Sequence, residues 1–149
     1  MLNYRNPPLA KKATSGETMR VLIADDSEVL RERLIENVSE IENIEIVGQE
    51  GNAKRINDSV ERLKPDLVIM DIKMPGGSGI QALESLKKRE NPPMIIMFTN
   101  FPYLQYRKKC MDLGADYFFY KSTEFEKLLE IIKNTALAHI QKIRKKEYL

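Results

Sequence analysis

Three short apolar runs constrain this chain more than anything else in it. Val21–Ile23, Leu67–Met70 and Met94–Phe98 are continuous rather than alternating. A strand with one face in water alternates apolar and polar residues. A continuous run marks a strand covered on both faces, as in a parallel sheet. The stretches between the runs carry apolar residues at helical spacing, so strand and helix are expected to alternate.

Residues 19–24 read as a first strand. A helix over 27–41 has apolar residues at 29, 30, 34, 38 and 41, Ser27 as its cap and Glu28 in its first turn. Residues 44–50 alternate like a strand, and 52–64 read as a helix with Asn52 as cap and Pro65 past its end. Strands over 66–70, 93–98 and 116–120 then alternate with helices over 79–89 and 103–114, the latter with Gly114 at its stop. A long helix over 122–146 closes the chain, with Ser122 or Thr123 as cap and basic residues in its last turn. Five strand–helix units in this order predict an α/β fold, a (βα)5 doubly wound parallel sheet.

A length of 149 residues suits one ordinary domain. Residues 1–18 contain Pro7-Pro8, Lys11-Lys12 and Thr14-Ser15-Gly16 and lack periodicity. They are expected to form a disordered tail ahead of a domain over 19–149. The net charge of +2 is too near neutral to argue for nucleic acid. The single cysteine, Cys110, excludes an internal disulfide and a four-thiolate zinc site; the single histidine, His139, excludes Cys₂His₂ and His₃ centres. No apolar run approaches the roughly 18 residues of a membrane span, and the N-terminus lacks a signal-peptide core. A soluble, cytoplasmic protein is the expectation.

In an open parallel sheet, ligands gather at the carboxyl ends of the strands. Asp25 and Asp26 follow the first apolar strand, Asp71 the third, Thr99 and Asn100 the fourth, and Lys121 the fifth. Three carboxylates crowded together repel unless positive charge joins them. Lys121 offers one charge, and a hard divalent cation with oxygen ligands, such as Mg2+, offers two. Carboxylates, a cation, an ammonium and a hydroxyl together suit a phosphoryl group. A carboxylate can itself be the nucleophile there.

These residues resemble the receiver domain of bacterial two-component response regulators over residues 19 to about 135. The resemblance rests on the Asp25-Asp26 pair, the segment "MDIKMPGGSG" around Asp71, Thr99 after "MIIMF" and Lys121 after "DYFFY". It implies a flavodoxin-like sheet of strand order 2-1-3-4-5. It implies that Asp71 accepts a phosphoryl group from a histidine kinase or histidine phosphotransfer protein. Asp26 and Asp71 would bind Mg2+ directly, with the Lys73 backbone carbonyl as a further ligand and Asp25 acting mainly through water. Lys121 and Thr99 would bind phosphoryl oxygens. Phe118 takes the switch-aromatic position, and its burial would alter the surface of the fourth helix, fifth strand and fifth helix, a candidate homodimer face.

Two departures stand out. Asn100 replaces the small residue that usually follows the switch threonine, and Ser122 replaces the usual proline after the lysine, so a trans peptide is expected there. Asn100, Lys73 and Phe101 are expected to set a slow hydrolysis rate together.

Other features carry plainer readings. Gly76-Gly77-Ser78-Gly79 lacks the phosphate-loop pattern and reads as a flexible turn. Tyr117, Phe119 and Cys110 read as core, and His139 as solvated. Leu137, Ile140 and Ile143, beside the basic run Lys142 and Arg144–Lys146, read either as a cap on the domain or as a partner surface.

The expected function is a stand-alone phosphoacceptor regulator, not an enzyme in the ordinary sense, acting on a downstream protein without direct nucleic-acid or membrane contact. The alternative is the receiver portion of a truncated DNA-binding transcriptional regulator. Only 28 residues follow Lys121 (149 − 121), and one helix uses nearly all of them, which argues against a recognition helix. An aspartate-nucleophile phosphatase would need a second acid two residues past the nucleophile, where this chain has Lys73.

Overall fold

The structure, a computed structural model, describes residues 17–147. Five parallel strands form one sheet: β1 (Met19–Ala24), β2 (Ile44–Glu50), β3 (Leu67–Met70), β4 (Met94–Thr99) and β5 (Tyr117–Tyr120). Their spatial order is β2-β1-β3-β4-β5, all pairs parallel, which is the expected flavodoxin-like arrangement. The helices are α1 (Glu28–Ser39), α2 (Ile56–Leu63), α3 (Gly79–Lys87), α4 (Leu104–Asp112) and α5 (Phe125–Glu147).

The continuous apolar runs are explained by two cores, one on each face. Leu22, Ala24, Val68, Met70, Ile95 and Met97 point toward α2, α3 and α4. Met19, Val21, Ile23, Leu67, Ile69, Ile96 and Phe98 point toward α1 and α5. Successive residues of a strand face opposite ways, so a strand buried on both sides must be apolar throughout.

Several expectations are corrected by the packing. The last helix starts at Phe125, so neither Ser122 nor Thr123 caps it. Residues 121–123 form a turn in which Thr123 and Glu124 both donate their N–H to the Tyr120 carbonyl, and Glu124 Oε1 accepts the Tyr120 N–H at 3.0 Å. The segment 52–64 divides into a 3₁₀ turn over Ala53–Arg55, capped by Asn52, and α2. Residues Lys73–Met74 and Gly77–Ser78 form a short antiparallel hairpin, not a loose turn. Gly76 there has φ +82°, a left-handed conformation that side chains rarely adopt.

Val29 is exposed, because α1 turns it away from the sheet, and Tyr117 is exposed beside a stacked Phe119. His139 is half-buried, with Nε2 3.7 Å from Asp66 Oδ2, rather than solvated. Ile140 is buried whereas Leu137 is exposed, so the end of α5 belongs in part to the domain. Cys110 is buried as expected, and burial pushes its thiol up to about 11. Gly114 ends α4 at φ +102°. No cis peptide bond occurs among the described residues. Thr18 donates to Glu45 at 3.2 Å and so joins the body of the domain; the rest of the expected tail, 1–16, lies outside the described residues.

Candidate functional site

The sheet's hydrogen-bond ladder runs one residue past each strand and thereby lines up the polar residues. The Asp25 N–H donates to Glu50 O at 2.9 Å, the Asp71 N–H to Ala24 O at 3.0 Å, and the Lys121 N–H to Thr99 O at 2.9 Å. Backbone pairing alone therefore brings Asp25, Asp71, Thr99 and Lys121 to one edge. Beyond β3, the Gly79 N–H donates to the Ile72 carbonyl at 2.7 Å, tying the start of α3 to the segment that carries Asp71. Ser78 and Gln81 cap α3 reciprocally.

Lys121 Nζ sits between two carboxylates, 2.6 Å from Asp25 Oδ2 and 2.8 Å from Asp71 Oδ2. Asp71 Oδ1 accepts the Ile72 N–H at 2.7 Å, and Asp25 Oδ1 accepts the Ser27 N–H at 2.8 Å. Asp25 and Asp71 are 3% and 8% exposed, whereas Asp26 is exposed. Burial raises the Asp25 carboxyl above its ordinary value, against the opposing pull of Lys121 and the Ser27 N–H. For Lys121, burial works to lower the ammonium, but bonding and charge from Asp25 and Asp71 outweigh it and hold the group above its usual value. Lys121 is therefore a fixed positive charge.

A cleft of about 710 Å³ opens over these groups. Asp71, Thr99 and Lys121 line it together with Asp26, whereas Asp25 stands behind it. Lys73, Asn100 and Phe101 also line it, Lys73 and Asn100 exposed and Phe101 half-buried. Thr99 is buried, and its Oγ1 accepts the Phe101 N–H at 3.2 Å. The Phe101 ring meets Tyr106 edge-on at 4.8 Å and Tyr103 at 5.5 Å. Phe118 lies outside the cleft, buried in the core under α4, edge-on to Tyr120 at 5.4 Å.

Oxygens of Asp25, Asp26 and Asp71 lie within 4.8 Å of one another. Three carboxylates against one ammonium leave two negative charges over. An all-oxygen set with that excess fits a hard divalent cation such as Mg2+.

Two neighbours of the site were not singled out by sequence reasoning. Gly79 packs so closely on Asp71 that a Cβ there would lie 2.9 Å from the Asp71 carbonyl carbon and closer still to its oxygen. Its only signal was a third glycine beyond the turn. Arg31 reaches back from α1 to donate to the Asp25 carbonyl at 2.5 Å, and in sequence it is an ordinary helix-surface arginine.

A family model described as the response regulator receiver domain matches residues 21–133. The response regulator protein VraR of Staphylococcus aureus is 29% identical over 119 residues, covering 80% of this chain and 57% of that protein. The chain thus spans little more than half the length of the curated relatives it matches. Among solved structures, a DNA-binding response regulator of the LuxR family from Staphylococcus aureus superposes with a TM-score of 0.73 at 27% identity, covering 78% of this chain and 97% of that one. The response regulator domain of Thermotoga maritima CheB gives 0.71 at 25% identity, with 83% and 97% covered.

Proposed function

The chain belongs to the response regulator receiver domain family of two-component signalling, and from that premise we propose that Asp71 is its phosphoacceptor. The observation that carries this reading is the placement of Asp71 at the cleft floor, joined to Lys121 at 2.8 Å and neighboured by Asp26. Response regulators receive phosphoryl groups from histidine kinases, so the donor is a kinase or phosphotransfer-protein phosphohistidine.

An Asp71 carboxylate oxygen forms the new bond to phosphorus as the P–N bond breaks. The electron pair returns to the imidazole of the donor. Lys121, fixed in its charged state, balances charge on the phosphoryl oxygens, and the Thr99 hydroxyl donates to one of them. Asp26 and Asp71, with the Lys73 backbone carbonyl, would hold Mg2+; Asp25 would act through water while holding Lys121. When bound, the cation supplies the positive charge that phosphoryl transfer to an anion requires.

Turning Thr99 toward the phosphoryl group gives up its bond from the Phe101 N–H. That frees the β4–α4 loop and the volume beside Phe118, which biases the α4-β5-α5 surface between two arrangements. Output then runs by protein contact, with a homodimer through that face as the candidate assembly. Lys73, Asn100 and Phe101, on the cleft wall, restrict water at the acyl phosphate. The chain assists its own phosphorylation and dephosphorylation and is not otherwise an enzyme.

Incubation with acetyl phosphate and Mg2+, followed by intact mass, tests the assignment. The wild type gains one phosphoryl group and Asp71→Asn gains none; labelling that persists in Asp71→Asn overturns it. A second reading comes from the match to a regulator named as DNA-binding: this chain is then the receiver portion of such a regulator, and its phosphorylation controls an effector domain. Size exclusion with beryllofluoride probes the shared first step, dimerisation.

A further inference from the structure

Asp25 is bonded at each of its polar atoms. Glu50 O takes its N–H, Ser27 N–H donates to Oδ1, and Lys121 binds Oδ2. Its carbonyl, the remaining one, accepts from Arg31 at 2.5 Å. That carbonyl belongs to the peptide plane joining Asp25 to Asp26, and the tilt of this plane sets the direction in which the Asp26 carboxylate leaves the backbone. Arg31 is itself held. Its Nε donates to Gln49 Oε1 at 3.1 Å, its own N–H donates to Ser27 O at 2.9 Å, and Gly51 leaves room for it. A Cβ at 51 would stand 3.2 Å from its NH1.

We infer that Arg31 is a positioning residue for the cation site: by clamping the Asp25–Asp26 peptide plane from behind, it aims Asp26 into the cleft. The inference rests on the reading of the acidic cluster as a Mg2+ site. Asp26 needs such help because it is the exposed member of the cluster, whereas Asp25 and Asp71 are already fixed by Lys121. Groups that orient metal ligands through one intervening bond commonly change affinity when they are removed. Charge acts the other way. A guanidinium near the site repels a divalent cation, so deleting Arg31 for its charge alone would tighten binding. The two effects therefore have opposite signs, and the measurement separates them.

The test is Mg2+ titration of the full chain followed by 1H–15N NMR, with Arg31→Met, Arg31→Lys, Gly51→Ala and Asp26→Asn. Arg31→Met is expected to weaken Mg2+ roughly tenfold. Arg31→Lys, which keeps the charge and loses the fork, weakens it in the same direction, as does Gly51→Ala, whose Cβ presses on the guanidinium at 3.2 Å and meets the Asp25 carbonyl and Asp26 Cα only at ordinary contact distances of 3.7 and 3.9 Å. In the Asp26→Asn background, Arg31→Met adds little, because its target carboxylate is gone. With acetyl phosphate, Arg31→Met raises the Mg2+ concentration needed for half-maximal phosphorylation while the rate at saturating Mg2+ is kept. Unchanged or tighter Mg2+ binding by Arg31→Met, or a full effect persisting beside Asp26→Asn, overturns the inference. If the wild type shows no Mg2+ response, the reading of the site fails and the inference with it.

Discussion

Gly79 touches the backbone of Asp71 from the first turn of α3, and its missing side chain is what allows the contact. A Cβ at 79 would lie 2.9 Å from the Asp71 carbonyl carbon and 3.1 Å from the Ile72 Cα. Both are backbone atoms that cannot swing aside. Glycine inside a helix normally costs stability relative to alanine, but here the overlap reverses the sign. Gly79→Ala is expected to lose about 1–3 kcal/mol in urea unfolding and to phosphorylate more slowly from acetyl phosphate. A stabilised variant with normal phosphorylation would show that the acceptor segment can shift freely.

Lys121 holds two nearly buried carboxylates at 2.6 and 2.8 Å. Lys121→Met leaves them facing each other without a counter-charge, which should cost about 3 kcal/mol at neutral pH. The loss should be larger in EDTA than in Mg2+, because without the ammonium the cluster carries one more uncompensated negative charge, so the variant binds the cation more tightly than the wild type and regains more stability from it. Paired urea titrations read this directly, and equal losses in the two buffers would argue against a cation at the cluster.

Alkaline pH should destabilise the fold in two stages. The Cys110 thiol is raised from 9.0 to about 11 by burial. Its contribution is fully present below pH 9.0 and is lost as pH rises through about 11, because the unfolded thiol ionises first. The Lys121 ammonium, raised above 10.5, acts in the same direction at higher pH, its contribution vanishing as pH passes the folded value. Urea midpoints should fall from pH 9 upward, and Cys110→Ala should remove the earlier stage, worth about 1–3 kcal/mol. The buried thiol should also react with Ellman's reagent at pH 8 only after unfolding.

Lys73, Asn100 and Phe101 line the cleft beside Asp71. Asn100→Ala opens its rim without touching the acceptor, so the acyl phosphate should hydrolyse roughly threefold faster, about 0.7 kcal/mol in barrier. Lys73→Ala and Phe101→Ala should change the lifetime in the same direction. Decay of the phosphorylated mass after removal of acetyl phosphate measures it, and three unchanged lifetimes would remove these residues from the account.

Much of the architecture was readable from local pattern. Continuous apolar runs reported two-sided burial, and the residue after each run was the one delivered to the sheet edge. Local pattern starts α5 at Ser122 or Thr123, because good capping residues stand there in sequence, yet the helix begins at Phe125. The turn instead closes on the Tyr120 carbonyl, and Glu124 binds back to the Tyr120 N–H. Gly76–Gly79 reads as a flexible turn in sequence although its first part closes a hairpin over 73–78, because pairing between two-residue strands leaves no periodicity to detect.

The sequence by itself determined the order of elements, the two-faced core and the identity of the polar residues at the strand ends, since each depends on residues near one another along the chain. Only the tertiary structure decided which of those residues meet. Lys121 lies between Asp25 and Asp71, Asp26 is left to line the cleft, Arg31 turns back to the Asp25 carbonyl, and Gly79 presses on Asp71. Lys121 meets its partners through pairing of strands far apart in sequence, whereas Arg31 and Gly79, close to their partners along the chain, meet them through side-chain direction and a close steric fit; neither leaves a periodic trace in the sequence.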